Sequence, residues 1–113
     1  MRNQTKGEVL ATSAISAESS ETRRTGLLKH TSLPDGEGLW IVPCEAVHSF
    51  FMKFSIDVLY LNKDKTVRKI RHDMKPWKMS FCLPAHSVLE LPAGTAMRTK
   101  TEPGDQLVFE KIA

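Results

Sequence analysis

The 113-residue chain has little cysteine, no apolar run long enough to cross a bilayer and no strong excess of one charge. Each shortage excludes something. Two cysteines, Cys44 and Cys82, are too few for a disulfide-stapled secreted scaffold, although a single bridge between them would be possible. Neither Cys-x-x-Cys nor His-x-x-x-His spacing occurs, so no metal site is expected, and the thiols are expected to be free and partly buried. In Met1–Ser20 the longest apolar stretch is Val9–Ala11, with Glu8 in front of it; no signal peptide and no membrane partner are expected, and the location is expected to be cytoplasmic. There is no Gly-rich phosphate loop, no Gly-x-Ser-x-Gly elbow and no recognisable pair of catalytic carboxylates. Accordingly no cofactor is expected, and no motif identifies a reaction.

What the chain does have is one long apolar stretch, His48–Leu61, whose period is two. His48, Phe50, Met52, Phe54, Ile56, Val58 and Tyr60 share one face of an extended chain; Ser49, Phe51, Lys53, Ser55, Asp57, Leu59 and Leu61 share the other. At about 3.3 Å per residue the stretch would span about 46 Å, too long for one strand in a domain of this size. A corner near Phe54–Asp57, dividing it into two strands, is therefore expected.

Other segments follow from the same rules. Residues 1–7 are polar and expected to be a flexible end, with residues 8–113 forming one β-rich domain. Glu8–Ala17 reads as a first strand. A helix capped by Ser19 or Ser20 would run to about Lys29, with Glu21 in its first turn. Leu39–Val42, Thr66–His72, Met79–Leu83, His86–Leu91 and Gln106–Ile112 read as short strands, with a hairpin turn at Asn62–Lys65 and a short helix over Ala93–Thr99 behind Pro92. The sum is a mainly-β single domain, a sandwich or barrel with one or two short helices.

Charge is uneven. Lys63–Lys78 holds seven Lys or Arg against Asp64 and Asp73, a local +5 in a chain of net +3. Such a segment could contact nucleic acid, with Trp77 for stacking. It fits better as a charged, irregular strand that protects a sheet edge, because Val67 and Ile70 break the alternation and the overall charge is small; a nucleic-acid partner is not expected.

Several separated pieces also match one pattern: Arg24-Thr25-Gly26-Leu27-Leu28, Gly38-Leu39-Trp40-Ile41, His48-Ser49-Phe50-Phe51-Met52-Lys53 with Ile56-Asp57-Val58, Leu89-Glu90-Leu91-Pro92-Ala93-Gly94, and Pro103-Gly104-Asp105. In this order the chain resembles the bacterial and archaeal domain of unknown function 192 family from about Arg23 to Phe109. The resemblance implies a jelly-roll-like fold and no defined activity. It departs from the family at Phe51, where Trp is frequent, and at Phe54-Ser55, where Asn-Thr is frequent. A Glu belongs to the pattern at Glu90, and a salt bridge to Arg23 or Arg24 is the expected use of it.

The candidate site collects His48, Met52, Lys53, Asp57 and Glu90, polar groups set in an apolar, aromatic-rich stretch. The leading expectation is a non-catalytic domain that binds a small ligand or a protein partner near the corner. An enzyme with His48 as base and Asp57 orienting it is the alternative, and it needs a bend, since the two have opposite parity. A weak nucleic-acid binder using Lys63–Lys78 is the other. Asp57 could instead accept backbone N–H bonds at the corner, as short carboxylates often do.

Overall fold

The structure, a computed structural model, describes residues 1–17, 33–50 and 52–109. Its strands are β1 (Arg2–Asn3), β2 (Glu8–Val9), β3 (Ser13–Ala17), β4 (Glu37–Ile41), β5 (Ala46–His48), β6 (Ile56–Leu61), β7 (Val67–Met74), β8 (Met79–Phe81), β9 (Ser87–Pro92) and β10 (Leu107–Val108), with one short helix, α1 (Thr95–Arg98). Three sheets result, in the orders β3-β4-β9-β6-β7, β10-β1-β2 and β5-β8. The domain is mainly β, and the sheets do not close into a barrel.

The five-stranded sheet is the middle of the molecule. Every residue of β6 and of β9 is buried, which is why both read as apolar runs. Alternation along β6 still separates two cores. Ile56, Val58 and Tyr60 join Leu39, Ile41 and Val88 on one face, where Val47 and Met52 from the β5–β8 side pack over them. Leu59 and Leu61 join Leu89 and Leu91 on the other face, covered by Leu10, Ala11, Ala96 and Leu107 from the small sheet and α1. Gly38 lets β4 lie close to β9: a Cβ there would sit 3.0 Å from Leu91 Cδ2 and 3.3 Å from the Glu90 carbonyl oxygen.

Several expectations need adjusting. The long stretch does divide, but β5 ends at His48 and β6 starts at Ile56, so the break is wider than a corner at Phe54–Asp57 and Asp57 lies inside a strand. Buried Ser49 causes the early exit. Its N–H donates to the Lys78 carbonyl (2.9 Å), its carbonyl accepts from the Trp77 and Met52 amides (2.9 and 3.1 Å), and its Oγ accepts from the Lys78 amide (2.9 Å). The expected first strand is two, β2 and β3, and residues 1–7 contribute β1, whose Asn3 is buried. The return strand reaches Met74 and lies at the sheet edge, with register shifts against β6 that explain its broken alternation. The expected helix from Ser19 or Ser20 to Lys29, with Arg23 and Arg24, lies outside the described residues. Among those described, no helix is long and apolar enough to cross a membrane.

Candidate functional site

Glu90 defines the site. Its position between Leu89 and Leu91 would point it to solvent or to a partner cation on a half-buried strand, but β9 is covered on both faces. Glu90 lies opposite Val58 of β6 and Leu39 of β4, so it projects into the core cluster that those residues share with Met52 and Tyr60. It is 4% exposed, and its Oε2 has no hydrogen-bond partner among the described residues. Burial pushes its pKa up to about 7, because a carboxylate without a counter-charge is disfavoured there.

Tyr60 is the second member. It is fully buried, and its hydroxyl has no hydrogen-bond partner among the described residues, although the Ser80 side chain lies close enough to oppose part of the effect of burial on its pKa. Burial raises its pKa as well. The half-buried Cys44 and Cys82, neither of them in a disulfide, pack against the same cluster, and the Cys44 thiol donates to the Ala46 carbonyl at 3.1 Å. Lys69 Nζ lies 5.7 Å from the centre of the Tyr60 ring. Two buried polar groups without partners on one sheet face call for an explanation, since buried polar atoms are nearly always hydrogen-bonded.

The five residues singled out in the sequence therefore separate. Met52 and Glu90 belong to one face. Asp57 pairs with Leu91 and projects to the opposite face. There its Oδ1 accepts from the Asp73 amide (2.8 Å), and its Oδ2 accepts from the Gly94 and Ala96 amides (3.1 and 2.9 Å). Gly94, at φ 93, has no side chain to cap α1, and Asp57 supplies the acceptor from β6. His48 is exposed on β5, its ring 5.2 Å from that of Phe50, and Lys53 is exposed. The sheet lies between His48 and Asp57, so the acid–base pair is not assembled. Among the described residues no group of three or more His, Cys, Asp or Glu could hold a metal ion.

The sequence places Tyr60 on the face of Val58, the residue opposite Glu90, but gives no sign that its hydroxyl belongs to the site. A second polar centre was missed altogether. Asp105, buried, accepts from Asn3 Nδ2 (2.9 Å), the Glu102 amide (3.0 Å) and Lys6 Nζ (3.2 Å). Burial alone would raise its pKa; those hydrogen bonds and the Lys6 charge outweigh it and hold the carboxyl below its ordinary value. With every oxygen engaged, this centre is architectural.

A layered, mainly-β domain with an unsatisfied carboxyl inside one of its cores is thus the class of molecule. The chain belongs to the family described as "Uncharacterized ACR, COG1430", the domain of unknown function 192 family, whose pattern matches residues 1–109. It is 30% identical to a UPF0127 protein of Pyrococcus furiosus over 118 aligned positions, covering 99% of each chain. A UPF0127 protein of Thermococcus sibiricus is 29% identical, over 96% of this chain and 73% of its own. In fold it matches the crystal structure of a protein of unknown function from Novosphingobium aromaticivorans, with a TM-score of 0.78, 24% identity, and coverage of 85% of this chain and 74% of that one.

Proposed function

We propose that the chain is a non-catalytic domain that binds a small ligand carrying an amine, amidine or guanidine group, with Glu90 as the counter-charge. The observation that carries this is the pair of unpartnered, buried oxygens, Glu90 Oε2 and the Tyr60 hydroxyl, on the same face of the central sheet. A donor-bearing cation would satisfy the carboxylate, and Tyr60 could add a second hydrogen bond. Met52 and Val58 supply the apolar wall that such sites usually have. The β5–β8 pair over this face is hydrogen-bonded as a sheet to neither β6 nor β9, so admitting a ligand would break no ladder of the central sheet. A cytoplasmic location, in keeping with two cysteines that are not joined in a disulfide, is part of the same reading. Proton transfer between His48 and Asp57 gains no support from the geometry, since both Asp57 oxygens are engaged by backbone amides.

The test is a thermal-shift screen of the full chain against small amines, amidines and guanidines at a pH above 7. Ligands should raise the melting temperature of the wild type, the effect should shrink as pH falls and Glu90 takes up a proton, and Glu90→Gln should abolish it. Tyr60→Phe should weaken binding by about fivefold, the worth of one neutral hydrogen bond. Undiminished binding by Glu90→Gln, or no binder anywhere in the panel, would sink the proposal.

A further inference from the structure

The outer side of β8 and its flanks carries a row that the Glu90 site does not use. Trp77, Met79, Phe81 and Leu83 alternate with inward Ser80 and half-buried Cys82, and are 60, 70, 63 and 66% exposed. Isolated apolar side chains on a surface are ordinary; four large ones in a row are not. The row is bordered by cations. Lys69 Nζ donates to the Phe81 carbonyl at 2.8 Å, and exposed Lys75 and Lys78 flank Trp77. The sequence has no Asp or Glu from Lys75 to Leu89. The acids that approach are Asp73, which is paired with Lys75 at 3.0 Å, and Glu45, whose carbonyl accepts from the Cys82 amide.

We propose that this surface rests on an anionic lipid bilayer as a peripheral contact, with the apolar row in the interfacial zone and the lysines among the headgroups. The expectation of no membrane partner rested on the lack of a spanning run, which a peripheral contact does not need. Charge complementarity and side-chain type favour lipid over the other occupants. A second copy would bring the same lysines face to face. Single-stranded nucleic acid needs open ring faces, but Phe81 has Lys69 Nζ 5.8 Å from its ring centre and Trp77 is stacked on Phe50 at 6.0 Å. Met79 and Leu83 have no ring to offer. Trp and Phe with aliphatic neighbours and snorkelling lysines suit a headgroup boundary. The proposal is independent of the Glu90 site.

Flotation of the full chain with phosphatidylcholine vesicles, with and without about a third phosphatidylserine, tests it. The chain should float only with the anionic vesicles, lose affinity as salt is raised, and show a blue shift in tryptophan emission that Trp77→Phe removes. The exposed pair Met79→Gln/Leu83→Gln should lower partition about tenfold or more with unchanged far-ultraviolet circular dichroism. Lys78→Gln should lower it about fivefold. No flotation, flotation unaffected by the double substitution, or instead binding of an oligothymidylate or concentration-dependent dimerisation through the same residues would overturn it.

Discussion

Replacing Glu90 by Gln turns the unpaired carboxyl into a stability measurement with a definite sign. In the folded protein the group titrates near pH 7, against an ordinary value of 4.5. The folded state therefore holds its proton more tightly than the unfolded chain. Stability is fully present below the unfolded value, declines as pH rises through the interval, and levels off above the folded value. At 1.36 kcal/mol per pH unit the decline amounts to about 3 kcal/mol. Gln is nearly isosteric and does not ionise, so Glu90→Gln should lack the decline and should be more stable than wild type at pH 8 by roughly 2–3 kcal/mol. For a domain of this size that is a rise of about 10 °C in Tm. Urea unfolding of both proteins from pH 4.5 to 8, with the slope m checked for constancy, reads the effect directly. The reasoning fails if Glu90→Gln is instead destabilising at pH 8 by roughly 3–5 kcal/mol, the signature of a broken buried ion pair such as one with Arg23 or Arg24. It fails equally if the two proteins have parallel pH profiles. A saturating cationic ligand should flatten the wild-type profile, since it removes the reason for the raised pKa.

Two further substitutions probe the engaged carboxylates. Asp57→Ala leaves the Asp73, Gly94 and Ala96 amides without their acceptor and should cost roughly 3–5 kcal/mol in urea unfolding, with no selective effect on ligand binding. Asp105, whose pKa is lowered, contributes stability that is complete above the unfolded value of about 4 and is lost as pH falls through the folded one. Asp105→Asn should cost about 2–3 kcal/mol at neutral pH and should flatten the acid limb of the stability curve.

The contrast between strands and site shows what alternation in a sequence can and cannot carry. Period two located β6 and β9 within a few residues, because each has a strong apolar pattern set by packed faces, whereas β7, with its broken alternation, was legible from the hairpin turn at Asn62–Lys65 before it. It missed β1, two residues long and polar, whose place depends on pairing with both β10 and β2. For Glu90 it left solvent and a partner cation both open, because parity says which side of a strand a residue occupies, not whether another layer covers that side. For Asp57 the carboxylate-to-amide role was foreseen in kind, but at a corner. Its real partners come from β7 and α1, brought together only by the sheet order. The apolar alternation Trp77, Met79, Phe81, Leu83 was present in the sequence too; which side of it met solvent was not.

The central sheet carries two buried carboxylates one register step apart, Asp57 opposite Leu91 and Glu90 opposite Val58, yet treats them in opposite ways. On one face three amides converge on Asp57, so that charge is matched before any ligand arrives, and removing it costs the fold. On the other face no hydrogen-bond donor among the described residues meets Glu90 Oε2. An acid that lowers stability at neutral pH is a poor structural choice, since a Gln or Leu of similar size would cost the core less. A group that burdens the empty fold but would be relieved by a bound cation has the energetics of a site: the same few kcal/mol lost without ligand reappear as affinity when one binds. That asymmetry is the energetic ground for proposing the Glu90 face, rather than Asp57, as the binding site.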